Sequence, residues 1–144
     1  MTPTHEYEYK FLVVDSSAWL RRYLADRHHG FVTEAMDLAG HWVASQWALT
    51  ELTVAMHHRR TVPGPVEVDQ LVRRDWDHVW EVPVDTIALH QAADIAAHYR
   101  LDLGRSIHLA SAQRLPVPVS FLTLDSAQIQ PAFDLGYEVV SPHN

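Results

Sequence analysis

Three acids in this chain stand where a folded sheet would bring them together. Asp15 directly follows the apolar run Phe11-Leu12-Val13-Val14, and Asp125 directly follows Val119-Ser120-Phe121-Leu122-Thr123-Leu124. Glu51 lies about one and a half turns into the helical stretch after Trp42-Val43-Ala44-Ser45, between the small residues Ala48 and Ala55. Carboxylates gathered in one crevice repel each other unless a cation holds them, and Mg²⁺ or Mn²⁺ favours oxygen ligands of this kind. A metal so held lowers the pKa of a bound water and neutralises phosphate oxygens, which makes phosphodiester hydrolysis the natural chemistry. Each acid alone has a plainer reading. Asp15-Ser16-Ser17 is a helix cap, Glu51 a solvated helix residue and Asp125 an Asx turn. Only their joint placement points to a metal site.

The elements that must position these acids alternate between strand and helix. Phe11–Val14, Trp42–Ser45, Val79–Val82, Val119–Leu124 and Tyr137–Val140 read as short buried strands. Helices are predicted after Asp15, from Phe31 to Leu38 with closure at Gly40, and from Gln46 to Arg59. Others are predicted over Val68–Trp76, from Asp85 to Tyr99, over Arg105–Leu115, and in a short stretch with Pro131 in its first turn. Val62-Pro63-Gly64-Pro65-Val66 reads as a loop. Alternation of this kind predicts an α/β fold of three layers, a parallel sheet of four or five strands flanked by helices, and ligands bind beyond the carboxyl ends of such strands.

Composition sets the outer limits. The 144 residues suit one domain, 1–144, preceded within it by a polar extension over residues 1–10. The chain has no cysteine, which excludes disulfide scaffolds, thiolate zinc sites, iron–sulfur clusters and a cysteine nucleophile. Its apolar runs are too short to cross a bilayer, so no membrane partner is expected and a cytoplasmic location is. Eleven Lys+Arg against eighteen Asp+Glu give a formal charge of −7, an argument against binding nucleic acid unless a dedicated site exists.

The sequence resembles the PIN-domain nucleases, and among them the VapC-type toxins of toxin–antitoxin pairs. The matching segments, in the family's order, are Val13-Val14-Asp15-Ser16-Ser17-Ala18-Trp19-Leu20, Ser45 with Leu49-Thr50-Glu51-Leu52, Ile107-His108-Leu109-Ala110-Ser111-Ala112, Phe121-Leu122-Thr123-Leu124-Asp125 and Leu135-Gly136-Tyr137-Glu138-Val139. The resemblance implies an acidic pocket binding Mg²⁺ or Mn²⁺, endonucleolytic cleavage of RNA, inhibition by a cognate antitoxin, and a homodimer. It assigns Asp15, Glu51 and Asp125 to catalysis and metal binding, Thr123 to the hydroxyl two residues before the last acid, and Ser17 to the small polar residue near the first.

One position departs from the family. A fourth acid is expected three residues before the histidine of the His-Leu-Ala segment, and that position is Arg105. Its guanidinium could enter the acid cluster and stand in for the cation, swing outward to RNA phosphate, or be bypassed by Asp102 as a replacement carboxylate. Coulomb attraction to the acids favours the inward pose. A catalytically impaired PIN-fold protein that acts by binding antitoxin or RNA is therefore the alternative to an active ribonuclease.

The remaining features carry less. Arg21 and Arg22 are candidate RNA-backbone contacts, because their helix starts at the site, although paired charges on a helix are also an ordinary solvated face. The eleven histidines contain no His-Glu-x-x-His segment, and His108 shares a helical face with Ala112 and Leu115, which reads as a packed, hydrogen-bonded side chain. The five tryptophans read as core or dimer-interface residues. A phosphate-receiver domain would need a lysine near the acids, and the only lysine is Lys10.

Overall fold

A computed structural model of the chain describes residues 7–58 and 65–143. Five parallel strands, β1 (Tyr9–Val14), β2 (Ala39–Ser45), β3 (Val79–Val82), β4 (Ser120–Leu122) and β5 (Glu138–Val140), form one sheet in the order β3-β2-β1-β4-β5. Between them run α1 (Ser16–Arg22), α2 (His29–Asp37), α3 (Gln46–His58), α4 (Pro65–Trp76), α5 (Thr86–Tyr99), α6 (Leu103–Ala112) and α7 (Ser126–Asp134). This is the predicted three-layer α/β architecture. The strand order grows from β1 toward β2 on one side and jumps to β4 on the other, so the switch point lies between β1 and β4. Asp15 and Asp125 follow the strands that flank it.

Two apolar cores cover the two faces of the sheet, as a parallel sheet requires. One packs Leu12, Val14, Ala44 and Leu122 beneath α1, α2 and α3, with Trp19, Met36 and Leu52 buried among them. The other packs Val13, Val43 and Phe121 against α5 and α6 through Ala92, Ile95, Ile107 and Leu109. Alternate residues of β1 thus feed opposite cores, which follows from the two-residue period of a strand. Among the described residues no helix is long and apolar enough to cross a membrane.

Several boundaries differ from the sequence reading. Gly40 does not close α2; the helix ends at Asp37 with Leu38 as cap, and Gly40 belongs to β2, where a Cβ would stand 3.1 Å from the Lys10 carbonyl oxygen and 3.2 Å from the Tyr7 ring. The helix predicted from Arg105 starts at Leu103, because Asp102 caps it by accepting a hydrogen bond from the Arg105 N–H at 2.9 Å. Gly104 therefore lies inside the first turn of α6 and does not break it. Pro131 sits in the interior of α7. The helix predicted from Val68 begins at Pro65, whereas most of the Val62–Val66 loop and Arg59 lie outside the described residues.

An unpredicted polar network ties α1 to α4. Asp75, nearly buried, accepts hydrogen bonds from Tyr23 Oη at 2.7 Å and Arg22 Nε at 3.0 Å, and the Arg22 guanidinium lies 4.8 Å from the Trp42 ring centre. A buried carboxylate needs such partners to offset its lost hydration. Burial, then the contact with Asp75, raises the Tyr23 hydroxyl well above its ordinary pKa.

Candidate active site

The chain leaves β1 at Val14 and turns directly into α1, so Asp15 takes the N-cap position and its Oδ1 accepts from the Ala18 N–H at 3.0 Å. An N-cap carboxylate satisfies an orphan helix donor and gains from the helix dipole. Here the same side chain is only 1% exposed. It accepts three further hydrogen bonds, from Ser17 Oγ at 2.7 Å, Thr123 Oγ1 at 2.6 Å and Gln128 Nε2 at 2.7 Å. Burial pushes its carboxyl above the ordinary carboxylate range, although His108, Thr123, Ser17 and the Ala18 N–H all pull the other way.

Thr123 is a hub at the switch point. Its Oγ1 donates to Asp15 and accepts from the Asp125 N–H at 2.9 Å, so it connects two of the three candidate acids. Ser17 bridges the same two segments by accepting from the Leu124 N–H at 3.1 Å. Asp125 in turn caps α7 through the Ala127 N–H at 3.0 Å.

Glu51 reaches the crevice from α3. Its Oε1 accepts from His108 Nε2 at 2.5 Å and from Ser16 Oγ at 3.1 Å. Burial raises this carboxyl, but the His108 bond and charge, together with Ser16, outweigh it and leave Glu51 below its ordinary value. His108 is 3% exposed and presents its Nε2 to the pocket from α6. Gly104 permits the close approach of α3 to α6, since a Cβ there would stand 3.1 Å from Trp47 Nε1 and 3.4 Å from Glu51 Oε2.

Arg105 takes the inward pose. Its Nε donates to Asp125 Oδ2 and its Nη1 lies 3.1 Å from Asp102 Oδ2. The Asp125 hydrogen bond and charge raise the guanidinium pKa further above its ordinary value. Asp15, Ser16, Ser17, Glu51, Asp102, Arg105, His108, Asp125 and Gln128 together line an open pocket of about 200 Å³.

The structure thus gathers Asp15, Glu51, Asp125, Ser17, Asp102 and Arg105 around one pocket, with Thr123 buried just behind it. Arg21 and Arg22 do not line it: Arg21 faces Asp26 at 3.0 Å, and Arg22 is committed to Asp75. Sequence reasoning missed Ser16, His108 and Gln128 as pocket residues. Gln128 stands three residues after the cap Asp125, where a glutamine ordinarily reaches back to its own cap. Here it turns to Asp15 instead.

Truncating His108 tests how the pocket is held. His108→Ala removes a buried ring and leaves Glu51 without its strongest partner, so a stability loss of about 2–4 kcal/mol is expected. Because the folded Glu51 carboxyl is depressed, its stabilising contribution is present above the ordinary carboxylate range and fades as pH falls through the folded value. The deficit of His108→Ala should therefore be larger at pH 7 than at pH 4 in denaturant unfolding. An equal deficit at both values would show that the Glu51 contact contributes nothing.

The fold and site together define an α/β protein with an acid-lined crevice at the switch point of a parallel sheet. Within that class the chain belongs to the PIN-domain family, whose model matches residues 12–133. Its fold is shared by FitAcB from Neisseria gonorrhoeae, with a TM-score of 0.70 and 12% identity over 92% of this chain and 99% of that one. VapC20 from Mycobacterium tuberculosis, a toxin that cleaves the sarcin–ricin loop, has a TM-score of 0.65 and 16% identity over 80% of this chain and 90% of that one. VapBC2 from Rickettsia felis, bound to a DNA fragment from its promoter, has a TM-score of 0.66 and 7% identity over 90% and 98%. No curated protein matches the sequence.

Proposed function

We propose that this chain is the ribonuclease toxin of a toxin–antitoxin pair and hydrolyses RNA phosphodiester bonds with Mg²⁺ or Mn²⁺ at the pocket of Asp15, Glu51 and Asp125. The observation that carries this reading is the convergence of these acids, from three separate segments, on one crevice at the sheet's switch point. An antitoxin partner, a homodimer and a cytoplasmic setting belong to the same reading, supported by the family and by a structural neighbour from Klebsiella pneumoniae solved as a toxin–antitoxin complex.

The donor set suits a hard divalent ion. All its charged ligands are carboxylates, and the pocket residue Gln128 is buried with its amide Oε1 unpartnered among the described residues, an oxygen that would gain from a cation beside Asp15. Asp15 and Asp125 would hold the ion, with Glu51 on the α3 side. Among the described residues no three acids or histidines converge closely enough to ligate one ion as they stand, since Asp125 and Asp102 face Arg105 and Glu51 faces His108. When bound, the ion would supply an activated water and neutralise phosphate charge. Thr123, Ser17 and the Ala18 N–H fix the orientation of Asp15, and His108 and Ser16 hold Glu51 ionised at neutral pH.

The Arg105–Asp125 pair specifically favours a second reading, in which the protein binds RNA or antitoxin without cutting. Incubation of RNA with Mn²⁺ separates the two. The wild type is expected to cleave, and Glu51→Gln to lose about a hundredfold or more in rate. RNA that stays intact with wild type while remaining bound to it would establish the second reading instead.

A further inference from the structure

Four carboxylates line the pocket, and Arg105 is the one Lys or Arg side chain among the residues that line it. An RNA phosphate entering there meets repulsion from every acid and attraction from this guanidinium. Arg105 is also built to move. Its backbone is fixed in the first turn of α6, ahead of the fully buried Ser106 and Ile107, whereas its side chain is 43% exposed. Only Nε and Nη1 are engaged, so the Nη2 edge has no partner among the described residues. A guanidinium matches phosphate in the same bidentate way that it matches carboxylate. Side-chain rotation alone can therefore exchange Asp125 and Asp102 for a phosphate.

Resting on the reading of this pocket as an RNA-processing site, we infer that Arg105 is the residue that docks the RNA phosphate. In the free protein it occupies the cation's place between Asp102 and Asp125, and by leaving them for phosphate it frees both carboxylates for the divalent ion. RNA and metal then reinforce each other, because each draws on the state in which Arg105 has left the acids. In the absence of RNA the metal must compete with a tethered cation, which lowers its apparent affinity by the fraction of molecules whose acids are free. Asp102 gains a role from the same movement. It keeps capping α6 through Oδ1 while its Oδ2 becomes available to the pocket.

Two binding measurements on the full chain test this without relying on turnover. Mn²⁺ affinity without RNA, read from the electron paramagnetic resonance of the free ion, should rise about tenfold or more in Arg105→Ala. RNA affinity in EDTA, read by fluorescence anisotropy of a labelled single-stranded oligoribonucleotide, should fall about tenfold or more in Arg105→Ala and less in Arg105→Lys. Thermal unfolding of each variant checks the fold. Unchanged Mn²⁺ affinity in Arg105→Ala would overturn the inference, as would unchanged RNA affinity. Either result combined with Mn²⁺-dependent cleavage by wild type would sink the role of Arg105 and leave the ribonuclease reading intact. Affinities that shift as expected without any cleavage would support the Arg105 exchange and defeat the ribonuclease reading.

Discussion

Asp15→Asn is expected to reduce RNA cleavage by about a thousandfold or more without lowering the stability of the fold. Asp15 is the acid at the centre of the pocket's hydrogen bonding, and its charge is what a divalent ion would bind. Burial makes that charge costly and raises the carboxyl above its ordinary value. An asparagine keeps one oxygen for the Ala18 N–H and Ser17 Oγ. Its new amide donor can meet Thr123 Oγ1, or the Gln128 Oε1 that now lacks a partner. The sign of the pH dependence follows. A carboxyl whose folded pKa is raised binds its proton more tightly in the folded chain, so the wild type loses stability as pH rises from the ordinary value through the raised one. Asp15→Asn lacks that loss. The stability of the variant relative to wild type should therefore be greater at pH 7 than at pH 4. A variant that is inactive because it has unfolded would refute this account of Asp15.

The largest stability effect is expected at Trp19. Its side chain is fully buried and packs against Tyr23, Trp42 and Trp76, with ring centres 6.5, 5.9 and 5.1 Å away. Trp19→Ala should cost about 3–5 kcal/mol, a large share of the stability of a domain this size. The site should suffer as well, because Trp19 seats α1 on the sheet and Asp15 is the cap of that helix. Trp19→Phe is the informative partner. It leaves a smaller cavity and removes an indole N–H that is buried with no partner among the described residues, so the loss should stay below about 1.5 kcal/mol. Denaturant unfolding checks both. A loss under about 1 kcal/mol for Trp19→Ala would mean that the aromatic cluster does not hold α1.

Much of the site was legible because strands end in predictable places. An acid that directly follows an apolar run must emerge at the carboxyl end of a strand, which places Asp15 and Asp125. Helical spacing brought Glu51 to the same end, and simple charge attraction anticipated the inward pose of Arg105. The illegible parts are contacts with no local signature. Asp75 meets Tyr23 across 52 residues, and Gln128 meets Asp15 across 113. No spacing rule reports which polar group a fold will carry to which. Gly40 misled for a related reason. It reads as a helix end in isolation, yet close packing against Tyr7 is what the small residue serves. Pro131 suits the first turn of a helix, whereas α7 begins earlier because Asp125 supplies the cap.

The opposition between a charge of −7 and a nucleic-acid substrate resolves at the pocket. Asp15, Glu51, Asp102 and Asp125 are concentrated at one crevice, and on the proposed reading a bound cation would offset their repulsion of RNA. The central claim is that these acids cut RNA when a divalent ion joins them. Its most direct measurement is cleavage of an end-labelled single-stranded RNA across a Mn²⁺ titration, with wild type and Asp15→Asn run in parallel. The account predicts wild-type cleavage that rises with Mn²⁺, stops in EDTA and is absent from Asp15→Asn. Cleavage that persists in EDTA, or that proceeds equally in the variant, would contradict it.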